Sequence, residues 1–129
     1  MLPFALRLRP GVPAYEQVLF AVKKAVATGQ MRPGDPFPSA RTLSQELRIN
    51  PNAAHKVVSV LVEDGLLHVR PGIGTVVAPA PSATREHLRQ ILEHEAERLV
   101  VEATTLGLSV EDVVQSLQRQ WERLTMDPR

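Results

Sequence analysis

The chain has 129 residues, no cysteine and a formal net charge of +1. That length supports one main core with a small appendage rather than two full domains. Without cysteine there are no disulfides or thiolate metal sites. No apolar run reaches the 18 residues of a membrane span, and residues 1–11 lack the pattern of a secretory leader, so a cytoplasmic protein with no membrane contact is expected.

The charge is unevenly placed. Residues 1–79 carry nine Lys/Arg against five Asp/Glu, a net of +4, and residues 80–129 carry six against nine, a net of −3. A basic first part and an acidic tail fit a nucleic-acid-binding module with an appended part of another purpose, although +4 over 79 residues is also ordinary scatter and decides nothing alone.

Three prolines and Gly11 make residues 1–13 an extended arm. A first helix is predicted over 14–28, where Val18, Leu19, Val22, Ala25 and Val26 recur at helical steps and Gly29 supplies the stop. Tyr15, in its first turn, reads as a packing residue, and Lys23 and Lys24 as solvated lysines. Residues 30–38 hold three prolines and form a loop, with Phe37 and Met31 as its buried plugs. Ser39 caps a short second helix, 40–47. Asn50 caps a third, with Pro51 at its first position, where the missing N–H costs nothing. This helix runs to Glu63 or Asp64. Its apolar side is Ala54, Val57, Val58, Leu61 and Val62, and Asn52, Ala53, His55, Lys56 and Ser59 can face outward. Gly65 provides the left-handed stop. Short strands are predicted at 66–69 and 73–77 on the β-favouring pattern of Leu67, Val69, Ile73, Val76 and Val77, around a tip containing Gly72 and Gly74.

Residues 78–83 read as a linker. A fourth helix is predicted over 84–106 with Leu88, Ile91, Leu92, Ala96, Leu99, Val100, Ala103 and Leu106 near one face, and Glu95 as the polar member of that stripe. Gly107 ends it. Ser109 opens a fifth helix, with Asp112 completing a capping box, and Val110, Val113, Val114, Leu117, Trp121 and Leu124 continue the stripe. These two helices are expected to form an antiparallel pair, and a pair alone is thin for burying both stripes. They either pack on the domain before them or join two copies; the acidic helix and short linker favour self-association, and two-fold dimers are the commonest closed oligomers. The fold class is therefore mainly α with a small β-hairpin: a winged helix-turn-helix domain over residues 1–79 and a two-helix C-terminal dimerisation tail over 80–129. The dimerisation residues are Leu88, Ile91, Leu92, Leu99, Val113, Leu117, Trp121 and Leu124.

A helix-turn-helix followed by a glycine-tipped hairpin is a shape that docks on duplex DNA. The third helix fits the major groove, where every base pair is distinguishable. At its start Asn52 can pair with an adenine edge, Lys56 can reach guanine or phosphate, and His55 can do either. Arg41, in the first turn of the second helix, suits phosphate or guanine. Ser39 divides between capping and a DNA contact. Arg70, Gly72, Gly74 and Thr75 of the wing approach the minor groove or flanking phosphates; as a bare hairpin, the two glycines merely make the turn. Phosphate contacts supply much of the affinity and make it salt dependent. Enzymatic function finds no support, because there is no glycine-rich phosphate loop, paired-carboxylate motif or histidine metal motif. His87, His94 and Glu97 lie near one side of the fourth helix and read as solvated surface, so no metal and no cofactor is expected. The alternative function is a winged-helix module for protein binding or low-specificity architectural DNA binding. A purely structural dimerising protein is a further class.

With these residues in view, the chain resembles the GntR family of bacterial transcription regulators, and within it the short YtrA-type subfamily. The segments that carry the resemblance are P-A-Y-E-Q-V at 13–18, G-Q-M-R-P-G-D at 29–35, F-P-S-A-R-T-L-S-Q-E-L at 37–47, I-N-P-N at 49–52, E-D-G-L-L at 63–67 and R-P-G-I-G-T-V-V at 70–77. The resemblance implies a homodimer, held by the last two helices, that binds a palindromic operator on double-stranded DNA. Such regulators usually repress, often at neighbouring transporter genes. It implies DNA contacts at Arg41, Asn52, Ala53, His55, Lys56, Gly72 and Thr75. The family usually has Thr-Val after I-N-P-N, and here Ala53-Ala54 stands there, removing one hydroxyl. Val57 replaces a usual alanine, so the third helix is expected to sit slightly differently on the core. Larger members carry a ligand domain. Here an unidentified small-molecule effector would have to lie at the dimer interface or between tail and winged domain.

Overall fold

The structure is a computed structural model that describes residues 2–79 and 84–126. Backbone contacts divide these residues into two units on either side of the linker. Its predicted segment 80–83 lies outside the described residues.

In the first unit, helix α1 (Ala14–Ala27) buries Val18, Ala21, Val22 and Ala25, one face at helical spacing. Helix α2 (Ala40–Leu47) buries Leu43, and helix α3 (Pro51–Glu63) buries Ala54, Val57 and Leu61. Strands β1 (Leu67–Arg70) and β2 (Gly74–Val77) form an antiparallel hairpin with Leu67 opposite Val77 and Arg70 opposite Gly74. The centre of the core is fully closed: Val18, Val22, Leu43, Ala54, Val57 and Leu61 have no exposed surface. Val57, bulkier than the residue the resemblance implies there, is thus accommodated.

The first strand is displaced by one residue from its expected limits and the second starts one residue late, and the reason lies in the tip. The N–H of Ile73 donates to the Arg70 carbonyl at 3.0 Å, with Gly72 at φ +80°. Pro71 followed by a positive-φ glycine makes a type II turn. Ile73 therefore belongs to the turn and is exposed, while Arg70 joins the strand.

The proline-rich loop and the arm are more tightly held than expected. Phe37 and Met31 are buried plugs as predicted. The Phe37 N–H donates to the Thr75 carbonyl at 2.9 Å, the Val77 N–H to the Asp35 carbonyl at 2.9 Å, and the Gly34 N–H to the Val77 carbonyl at 2.8 Å. The loop thus lies along β2 as a short edge, bridging Pro36 to Val76, a place where proline is tolerated in a sheet. Phe4, from the arm, is buried and stacks on Phe37 with ring centroids 6.2 Å apart. Leu2 and Leu6 pack on the same core. The Gln17 side chain then clamps the arm: its Oε1 accepts from the Arg9 N–H, and its Nε2 donates to the Arg9 and Val12 carbonyls, all at 2.9 Å.

In the second unit, helix α4 (Arg85–Thr105) starts at Thr84, whose hydroxyl accepts from the His87 N–H at 3.1 Å. Helix α5 (Val110–Met126) opens with the expected capping box, in which the Ser109 N–H donates to Asp112 Oδ2 at 2.9 Å and the Asp112 N–H to Ser109 Oγ at 3.1 Å. Few backbone contacts join α4 to α5, and most of both apolar stripes stays open within the chain. Among the described residues of this unit Ala103 alone is buried, beside the turn where the Leu108 N–H donates to its carbonyl at 2.9 Å. Two helices alone cannot cover both stripes. No described helix is long and apolar enough to cross a membrane.

Candidate nucleic-acid interface

The α2–α3 turn has three residues, Arg48, Ile49 and Asn50, and each is fixed by a local bond. Arg48 is the only non-glycine with positive φ among the described residues, at φ 56° and ψ 47°. Its N–H donates to the Ser44 carbonyl, the left-handed way of ending a helix. The Ile49 N–H donates to the same carbonyl at 3.2 Å, and Ser44 Oγ donates back to the Ile49 carbonyl at 2.8 Å. Asn50 Oδ1 accepts from the Asn52 N–H at 2.7 Å and starts α3 with Pro51 behind it. This chain of bonds sets where the first turn of α3 sits relative to α2.

From that start the two faces of α3 separate cleanly. Ala54, Val57 and Leu61 go into the core. Asn52, His55 and Lys56 are exposed and Ala53 is half-buried. Arg41, in the first turn of α2, is exposed, as are Arg70, Gly72 and Gly74 of the hairpin, and Thr75 is half-buried. Ser39 is exposed but locally bonded: its Oγ accepts from the Thr42 N–H at 3.1 Å and donates to Thr42 Oγ1 at 3.1 Å. The structure thus assembles Arg41 and the opening of α3 through one short turn, and keeps the hairpin residues open at its tip. Among the described residues no three His, Asp or Glu side chains gather where a metal ion could sit.

Three features escaped the sequence. Arg48 takes a conformation usually left to glycine, so its role as a cap has no residue-type signal. Tyr15 is half-buried against the core as expected, yet its ring also receives the Lys56 ammonium 4.5 Å from its centroid. Positions 15 and 56 are remote in sequence, so only the fold pairs them. Lys23 is not merely solvated either, since its Nζ lies 4.0 Å from Asp64 Oδ2.

In the second unit the expected interface residues stand open. Leu88, Ile91, Leu92, Leu99 and Leu117 are exposed, Val113 and Leu124 are half-buried, and Trp121 leaves 73% of its surface in solvent.

Three helices, a bonded tight turn between the second and third, and a hairpin beside them define a winged helix-turn-helix DNA-binding protein. Residues 14–77 match the model of the bacterial regulatory proteins of the gntR family, and the chain belongs to that family of transcription regulators. It is 29% identical over 104 residues to the HTH-type transcriptional repressor YtrA of Bacillus subtilis, covering 80% of each chain. Among solved structures it is similar to YtrA from Sulfolobus acidocaldarius, a GntR-family transcription factor, with a TM-score of 0.55 and 26% identity over 93% of this chain and 97% of that one. It shares its fold with a transcriptional antiterminator from Listeria monocytogenes at a TM-score of 0.77 and 20% identity, over 94% of this chain and 91% of that one.

Proposed function

We propose that the chain is a cytoplasmic YtrA-type repressor that binds a palindromic operator as a homodimer and controls a neighbouring operon, with transporter genes the first candidates. In this reading α3 enters the major groove with Asn52, Ala53, His55 and Lys56, Arg41 reaches the adjoining backbone or a guanine, and Arg70, Gly72, Gly74 and Thr75 bring the wing to the flanking groove. Ser39 contributes mainly by fixing the first turn of α2. Residues 1–79 are the DNA-binding domain, and residues 80–129 join two copies through the stripes of α4 and α5. The dimer's two-fold axis supplies the reason for a palindrome.

One observation carries the proposal: Asn52, His55 and Lys56 in the opening turns of α3 are exposed while Ala54, Val57 and Leu61 on the opposite face are wholly buried. The named repressor among its relatives, matched over most of both chains, supports repression as the outcome.

A mobility-shift titration on the promoter of the chain's own gene cluster tests it. Retention of the complex in excess unrelated DNA is expected, and a complex that competitor dissolves would instead favour the architectural reading. Arg41→Ala or Lys56→Ala is expected to weaken binding by about 1–3 kcal/mol, with dimer mass and melting nearly unchanged. Unchanged titration curves for both variants would remove these residues from the interface. Asn52→Ala is expected to flatten discrimination at one base pair, read across single-base operator variants.

A further inference from the structure

We infer that Tyr15 is a positioning residue for DNA binding, which holds the Lys56 ammonium in place before DNA arrives. The inference rests on the DNA-binding reading above and assigns a task to a residue of α1, outside the helix-turn-helix and the wing.

The observation is the Lys56 Nζ 4.5 Å from the centroid of the Tyr15 ring, inside the ~6 Å range in which a cation is attracted by an aromatic face. The ring itself is fixed. It sits in the first turn of α1, where the Glu16 and Gln17 N–H groups close on the Pro13 carbonyl at 3.1 and 3.3 Å, and it packs against the core. Lys56 stands in the second turn of α3, on the exposed side. Since α1 and α3 are in direct contact, the pair also links the two helices.

The chemistry of the partner matters. Among the described residues no carboxylate lies within ion-pair distance of Lys56. A carboxylate would place the ammonium but cancel its charge. An aromatic ring attracts it through the quadrupole and leaves the full positive charge available to a phosphate or a guanine edge. Lysine otherwise carries a long, freely rotating stem, and ordering it at the moment of binding is a cost. Tyr15 removes part of that cost in advance, which is how preorganisation raises affinity without a new contact.

The test has two arms on the full chain. In the DNA-free protein, the Lys56 ε-methylene protons are expected to be shifted upfield by the ring. The shift should persist in Tyr15→Phe and vanish in Tyr15→Leu. For binding, the probe is the best duplex selected by the wild-type chain from a randomised pool. Tyr15→Leu should raise Kd about two- to fivefold, the ratio expected for a cation over a partly exposed ring. Tyr15→Phe should restore it. In a Lys56→Met background, Tyr15→Leu should have no further effect.

An equal loss in the Lys56→Met background would mean that Tyr15 acts on the fold, and would overturn the inference. So would unchanged or tighter binding by Tyr15→Leu, or a wild-type Lys56 signal without the upfield shift. A chain that selects no duplex overturns the DNA-binding reading itself. Duplex selection without coupling between positions 15 and 56 overturns this inference alone.

Discussion

The two units treat their apolar residues in opposite ways. In the first, the apolar faces of three helices, a hairpin, a loop and the N-terminal arm converge, and eight large side chains including Leu43, Leu61 and Leu67 are less than 2% exposed. In the second, stripes of similar composition run along α4 and α5 and stay largely open between Leu88 and Trp121, with Ala103 buried and Val113 half-buried. A helix that shows an apolar stripe to water is incomplete by itself. The first unit thus holds its own reason to fold, and the second holds a surface whose partner must be supplied.

The sharpest way to break this contrast is to cut between the units. A chain ending at Pro79 is expected to remain folded, melt cooperatively and run as a monomer in light scattering. Its operator affinity should drop by about 10²–10⁴-fold, the advantage that linking two half-site contacts provides. A truncated chain that still weighs as a dimer would place the joining surface in the first unit.

Single substitutions sharpen it further. Leu61→Ala opens a cavity in a closed core and should cost about 2–5 kcal/mol of unfolding free energy, read from denaturant midpoints at fixed protein concentration. Trp121→Ala should leave the first unit's melting unchanged. It should instead raise the dimer dissociation constant by roughly 30-fold, the effect of removing a buried aromatic anchor worth about 2 kcal/mol. If Trp121→Ala leaves the concentration dependence of mass untouched, the open stripe is not where copies meet.

A smaller effect concerns the turn on which the helix-turn-helix hinges. Arg48 sits in the left-handed region, which disfavours any side chain with a Cβ. Arg48→Gly is expected to stabilise the first unit by about 1 kcal/mol, visible as a higher melting midpoint. A lower midpoint would mean that the arginine side chain offsets its own backbone strain.

How much of this was legible depended on whether the signal was local. Ser39, Asn50-Pro51, Thr84 and Ser109 announce helix starts within four residues, and α2 to α5 begin beside them. The outward set of α3 followed from periodicity alone. Much of what stayed hidden was non-local. Phe4 meets Phe37 across more than thirty residues, Lys56 meets Tyr15 across forty, and nothing in either neighbourhood marks the pairing. The hairpin limits slipped by one residue because Ile73, β-favouring by type, is used for a turn set by Pro71 and Gly72. For α4 and α5, amphipathic periodicity shows that a face needs covering and is silent about what covers it.

The smallest expected effect lies at the start of α5, where the second unit does have local support of its own. Asp112 accepts the Ser109 N–H, and this backbone bond, with a lesser contribution from the Ser109 hydroxyl, holds its carboxyl below the ordinary value of 3.8. A carboxylate with a lowered pKa in the folded state stabilises that state fully above the unfolded value. The contribution disappears as pH falls through the folded value. The first turn of α5 should therefore fray below about pH 4, seen as loss of amide protection and a change in the Ser109 N–H shift. Asp112→Asn keeps an acceptor for that N–H but has no proton to gain, so its first turn should be slightly weaker at neutral pH and flat across the acid range. Asp112 belongs to the second unit, so Asp112→Asn should leave the first unit's own acid response unchanged. If its amides loosened together with those of α5 in the wild type alone, the two units would not be energetically separate.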